Sequence, residues 1–287
     1  MPLRRPALSG IGYVLAGFLI FSINDATRRH LATLYPIEQI LAWGSLLAVA
    51  LLLLVALRHG WRATLLTRQP GLQAFRAILV AAAAYLAVFS FAHAEMVAVY
   101  TMIFTAPIIT GVLAALLLGE RLTLPRVLAV ALGFSGTLIV LQPQNLQLAP
   151  GMATALILAF VFSLANILVR RLNPEEGNLA MAVYPLGLLC LGFGIIGGYF
   201  AQPPQFEHLG WFALAGLLQA CGLLFIIVGF RRVEASVAAP FQYSQLLWGL
   251  GLGYVFFGEI PSLNTWLGAA IIVGAGLGLW AFETRRK

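Results

Sequence analysis

MVAVYTMIFTAPIITGVLAALLLGERLTLPRVLAVALGFSGTLIVL, residues 96–141, decides the fold. An apolar run ends in Gly119-Glu120, a polar step over 121–126 follows, and a second apolar run continues to Leu141. The layout returns after Glu234: an apolar run, Gly258-Glu259, a step through Ile260-Pro261-Ser262, and a last run over 266–282. Glu95 matches Glu234, Glu120 matches Glu259, Leu124 matches Leu263 and Leu128 matches Leu267, all at one spacing without a gap. Upstream, Gly10, Leu15, Phe21-Ser22 and Arg29 return as Gly151, Leu156, Phe162-Ser163 and Arg170. The chain therefore reads as two copies of one unit, residues 1–143 and 144–287.

Composition says where those units sit. The 287 residues are 61% hydrophobic and 9% charged, whereas soluble domains are about one quarter charged. So much apolar surface must face lipid. The net charge of +7 lies in short steps between apolar runs, which speaks for membrane topology and against nucleic acid as a partner. Cys190 and Cys221 fall inside apolar runs and form no disulfide or metal framework. Arg4 and Arg5 precede a run too long for a signal peptide and without a small-residue cleavage site, so it reads as a retained first span.

A span needs about 20 residues to cross about 30 Å of hydrocarbon. Ten runs qualify: 9–27, 36–57, 71–92, 96–118, 125–141, 151–169, 179–200, 211–230, 235–257 and 264–282. No gap is long enough for a soluble domain. With the N-terminus inside, fifteen of the 17 Lys and Arg residues fall on the inner side, and only Arg28 and Arg29 fall outside. That bias predicts two cytoplasmic termini in a cell inner membrane. Five spans per copy is an odd number, so the second copy inserts upside down. Inverted repeats with a site near the midplane are a recurrent transporter architecture. Arg28 and Arg29 break the positive-inside rule, either by inheritance from the duplication, by pairing with Asp25, or through a role at the outer mouth.

Polar residues within spans are costly and tend to line a cavity. Asn24 and Asp25 are the sharpest case, since the other nine acids lie at or beyond span ends. Asp25 stands about 21 Å along its helix from Ile11, at about 1.5 Å per residue. Two readings stand for it: an ion pair with Arg28 or Arg29 one turn on, or a cavity or proton-coupling role. Its counterpart Asn166 hydrogen-bonds but does not titrate, so the halves would not carry a proton symmetrically. In the fourth span Tyr100 or Thr101 shares a face with Thr105, and Pro107 is expected to kink the helix. In the ninth, Pro240, Gln242, Tyr243, Ser244 and Gln245 form the most polar intramembrane cluster, read as a cavity wall or as helix–helix glue.

Aromatic residues such as Trp43, Phe89, Tyr184 and Tyr254 read mainly as lipid-facing or interfacial anchors. Tyr85 and Trp248 lie deeper and join the substrate-binding candidates. Gly192, Gly194, Gly197 and Gly198, and Gly249, Gly251 and Gly253, suggest close helix approach or a dimer face. Glu120 and Glu259 read as structural corners, Glu120 being compensated by Arg121 or Arg126. His30, His59, His93 and His208 lack ligand spacing, and neither a hydrolase elbow nor a phosphate loop is present. No enzyme, metal or cofactor is expected.

The block over 91–141, with its Gly119-Glu120-Arg121-Leu122 corner and Gly136-bearing last span, resembles the EamA-type repeat of the drug/metabolite transporter superfamily, and the likeness covers almost the whole chain. In the second copy Gly258-Glu259 is followed by Ile260-Pro261 rather than Arg-Leu. The resemblance implies an all-α integral membrane protein of ten helices in two inverted five-helix repeats around a central cavity, with spans one, three, four, six, eight and nine lining it. Among such proteins the chain looks most like bacterial exporters of amino acids, the aromatic amino-acid type included. The expectation is a secondary transporter exporting amino acids or similar small metabolites by alternating access, with the bilayer as its other partner. The alternatives are a multidrug or other metabolite exporter of the same fold, or an intramembrane enzyme or lipid-handling scaffold. The substrate contacts expected are Asn24, Tyr85, Tyr100, Thr101, Thr105, Gln242, Tyr243, Gln245 and Trp248; Asp25, Arg28, Pro107 and Pro240 are expected to couple or gate. No cation is expected mid-span, which disfavours phosphorylated solutes.

Overall fold

The computed structural model describes residues 4–58, 60, 64–93, 96–142, 150–172, 174–257 and 262–285. Its elements are helices: α1 (Arg4–Ala32), α2 (Ile37–Arg58), α3 (Pro70–His93), α4 (Met96–Ile103), α5 (Ala106–Leu118), α6 (Leu124–Leu141), α7 (Pro150–Arg171), α8 (Asn178–Leu189), α9 (Leu209–Arg232), α10 (Ala235–Ala238), α11 (Ser244–Phe257) and α12 (Leu263–Arg285). A π-helical stretch over Cys190–Ile196 extends α8, and a 3-10 turn over Ala239–Tyr243 joins α10 to α11. Among the described residues no strand occurs, and nine helices are long and apolar enough to cross a membrane.

The fourth and ninth runs are the broken ones. Pro107 has no N–H and crowds the carbonyl four residues before it, and the helix parts between Ile103 and Ala106, just ahead of it. Pro240 acts likewise, leaving four residues in α10, five in the 3-10 turn and 14 in α11. The expected ninth crossing, 235–257, is therefore not one continuous helix. Gly119 closes α5 with φ of 67°, a left-handed conformation that glycine adopts without strain, and Pro125 fits the first turn of α6.

Packing repeats when the halves are exchanged. α1 runs along α9, and α7 along α3; α2 packs on α9, and α8 on α3; α6 packs on α12. Of the glycines expected at close approaches, Gly194 lies against the Phe200 ring, and several helix crossings rest on other glycines. A Cβ on Gly136 would stand 2.8 Å from the Gly268 carbonyl, and one on Gly17 or Gly229 would collide with Ile226 or Val14. Gly192, Gly249 and Gly251 instead face open space.

One end of the bundle collects Arg68, Arg126, Arg170, Arg171, Arg231 and Arg232 and is called the basic face. Here charged groups clasp the halves together. Glu120 accepts the backbone N–H groups of Ala235 and Ser236, both at 2.9 Å, and pairs with Arg170 Nε at 3.1 Å. Buried Arg126 donates to Glu283 at 2.8 Å, to Ser236 Oγ at 2.9 Å, and to Glu234. One expectation needs correcting: the partner of Glu120 is Arg170, not Arg121 or Arg126, because the fold brings the end of α7 under the corner. Two cations near helix starts are buried, Arg76 of α3 and Arg126 of α6, at 1% and 2% exposed. Glu95, Gly258, Glu259 and Pro261 lie outside the described residues.

Candidate functional site

The two breaks are tied by the same hydrogen bond. Ser163 of α7 donates to the Ala106 carbonyl at 3.0 Å, and Ser22 of α1 donates to the Gln245 carbonyl at 3.3 Å. Each serine also reaches the carbonyl four residues back on its own helix. Ser22 is the repeat counterpart of Ser163, and Gln245 of Ala106, at the spacings found in the sequence. A ring contact joins the breaks themselves: Phe104, next to the first, tilts against Tyr243 in the second with centroids 6.1 Å apart.

Around Ser22 lies the polar cluster. Asn24 is fully buried, and its Nδ2 donates to Gln219 Oε1 on α9 at 2.9 Å. Arg28 Nη2 donates to the same oxygen at 2.9 Å. Asp25 is exposed and accepts from Gln245 Nε2 at 3.1 Å. Asp25 and Arg28, one turn apart, hydrogen-bond to different neutral amides rather than to each other; the Arg29 side chain, the other partner expected for Asp25, lies outside the described residues. A carboxylate and a guanidinium stand one turn apart, each within the other's field and each hydrogen-bonded elsewhere. Asn24 Oδ1, Arg28 Nε and the Trp248 indole N–H, one turn beyond Gln245, have no partner among the described residues. A site of this kind offers an acceptor, a cation and spare donors to a solute carrying both charges.

Of the other residues expected at the site, Gln242 and Tyr243 are buried in the 3-10 turn, with the Tyr243 hydroxyl unpartnered. Thr101 is buried, and Thr105 Oγ1 donates to the Met102 carbonyl at 2.6 Å, capping the first break from within. The Tyr100 side chain lies outside the described residues. Tyr85 stands apart, half exposed and stacked on Phe193 at 6.3 Å. Gln219 was missed. Its signal was a lone amide within the apolar run 211–230, the kind of intramembrane polar residue that needs a reason.

A cavity of about 440 Å³ opens near the basic face between α1, α2, α8 and α9, lined by Tyr13, Val55, Thr64, Asn178, Leu224 and Phe225. Tyr13 packs on Phe225 at 5.3 Å, and the Arg232 guanidinium lies 4.5 Å from the Tyr13 ring centre. The volume is in the range of small-molecule pockets, about 300–1,000 Å³.

The model of the EamA-like transporter family matches residues 8–142 and again 149–280. The chain belongs to that family. It is a multi-pass membrane transporter. Relatives include an S-adenosylmethionine uptake transporter of Rickettsia conorii, 25% identical over 93% of this chain and 90% of its own. A riboflavin transporter of Rhizobium johnstonii is 28% identical over 99% and 94%. A solved crystal structure superposes with a TM-score of 0.81 over 98% of each chain at 16% identity, a likeness of fold alone.

Proposed function

We propose that this transporter carries zwitterionic, amino-acid-type metabolites, S-adenosylmethionine among them, by alternating access between two inverted repeats, residues 1–143 and 144–287. The observation behind the substrate class is that Asp25 and Arg28 sit one turn apart yet bind Gln245 and Gln219 rather than each other. Two opposite charges held apart by amides in this way favour a ligand that brings both complements: an α-ammonium for Asp25 and an α-carboxylate for Arg28. S-adenosylmethionine is an amino acid bearing a ring system, so the amino-acid reading and the relative's substrate share one recognition chemistry. Riboflavin lacks that head group.

The exchange-symmetric packing, the twin serine bonds and the double family match support the inverted repeats. Ten crossings with both ends cytoplasmic then follow if the broken stretch 235–257 spans as one unit, and the basic face is the cytoplasmic one. Its clasp must open for the solute to pass there. No coupled ion is needed to explain the site, and an uncoupled carrier runs down its gradient, so export and uptake are open to the same machine.

Counterflow in proteoliposomes tests this with labelled methionine, tyrosine, S-adenosylmethionine and riboflavin. Accumulation of one or more zwitterions, lost in Asp25→Asn and Arg28→Met at equal folded yield, supports the reading. Carriage of riboflavin alone, indifferent to both substitutions, refutes it.

A further inference from the structure

Arg76 lies on α3, 1% exposed, in the face that packs on α7 and α8. Its Nη1 donates to the Met181 carbonyl on α8 at 2.6 Å. Among the described residues its Nε has no partner, and neither has either amide atom of Gln73 one turn earlier. Among the described contacts no acid touches this guanidinium. A buried cation left with one acceptor is costly, so that acceptor needs a reason.

The reason stands four residues on. Pro185 lies inside α8, and a proline has no N–H to give the carbonyl four residues before it. That carbonyl is Met181. In a membrane interior an orphaned carbonyl finds no water, so a donor must come from a neighbouring helix. Helix axes pack about 8–10 Å apart, and a long side chain with a fork of N–H groups can cross that gap to a backbone oxygen.

We propose that Arg76 is a positioning residue whose guanidinium stands in for the N–H that Pro185 lacks, pinning α3 of the first half to α8 of the second ahead of Pro185. The chain contains its own control. At the repeat spacings, Met181 and Pro185 correspond to Ile40 and Gly44 of α2, and Arg76 corresponds to Ala215 of α9. Ala215 and Ile40 lie in one buried cluster, and a Cβ on Gly216 would stand 2.9 Å from the Gly44 carbonyl, so the equivalent joint is made. Gly44 keeps its N–H for the Ile40 carbonyl. Where the helix supplies its own donor, the facing residue is alanine; where proline removes it, the facing residue is arginine. Beyond Pro185, α8 passes into the π-helical stretch that carries Phe193, the stacking partner of Tyr85.

The test is a double-mutant cycle on the full-length protein: Arg76→Met, Pro185→Ala and the pair together. The readouts are the thermal midpoint in detergent and deuterium uptake by the α8 amides around Met181. Arg76→Met is expected to lower the midpoint and speed exchange in α8 by about tenfold. In the Pro185→Ala background, where alanine restores the N–H, the same substitution should change exchange by less than about twofold. Equal losses in both backgrounds overturn the proposal. If Arg76→Met alone gives no folded protein, recovery of folded yield by Pro185→Ala supports it and failure to recover overturns it. The positioning role also predicts slower counterflow turnover with KM unchanged for whichever labelled zwitterion is carried. A raised KM that Pro185→Ala does not relieve would make Arg76 a solute contact and overturn the positioning role.

Discussion

The two breaks, one per half, share a joint and differ in chemistry. Ser22 holds the carbonyl at Gln245, and Ser163 holds the carbonyl at Ala106. Around the first stand Asn24, Asp25, Arg28, Gln219 and Gln245. Their counterparts at the repeat spacings are Ala165, Asn166, Val169, Val80 and Ala106. The two halves thus share the backbone joint, where a serine meets a carbonyl in the first turn of a helix, and differ in the charged groups around it. Since each intramembrane charge costs free energy, one charged site needs less compensation than two. The scaffold is symmetric and the site is not.

Substitutions at paired positions sharpen or break that contrast. The largest effect is expected from Asp25→Asn or Arg28→Met, each lowering zwitterion flux by about tenfold to a hundredfold, the worth of a charged hydrogen bond. Asn166→Ala on the other side should leave flux within about twofold, because its Nδ2 is already unpartnered. Equal losses at Asp25 and Asn166, measured as initial counterflow rates, would erase the asymmetry. Asp25→Asn under an imposed pH gradient also tells whether any residual flux is proton-driven.

Gln219→Leu comes next, with a KM raised by about tenfold, since it frees Asn24 and Arg28 together. Ser22→Ala and Ser163→Ala are expected to be small and alike, each lowering the thermal midpoint by the equivalent of about 1 kcal/mol. A large difference between them would mean that the joints are not equivalent. Tyr85→Ala should be the mildest, leaving KM unchanged, because Tyr85 stacks on Phe193 away from the cluster.

Much of this was legible in the residues. Span lengths follow from the cost of exposed backbone in lipid, and Pro107 and Pro240 marked both breaks because proline removes a hydrogen bond wherever it sits. Asp25 stood out as an acid within a span. Its partners did not, because Gln219 and Gln245 are about 200 positions away in sequence and nothing local links them. Arg76 falls near the start of the run 71–92, where a cation reads as loop-side. Its burial depends on a proline in the other half. The same holds for Glu120 and Arg170, whose pairing requires α7 to end beneath the corner. Glycines were visible as a class, but which of them meet a facing helix is decided by the neighbour.

The most direct test crosses one atom group on the solute with one on the protein. For a zwitterion that the protein carries, inhibition of counterflow is measured with the unlabelled solute and with its decarboxylated amine, in wild type and in Arg28→Met. Loss of the carboxylate should weaken inhibition by about tenfold or more in wild type and have almost no effect in Arg28→Met. Equal inhibition by both compounds in wild type, or the same penalty in both proteins, would contradict recognition of a zwitterionic head by Asp25 and Arg28.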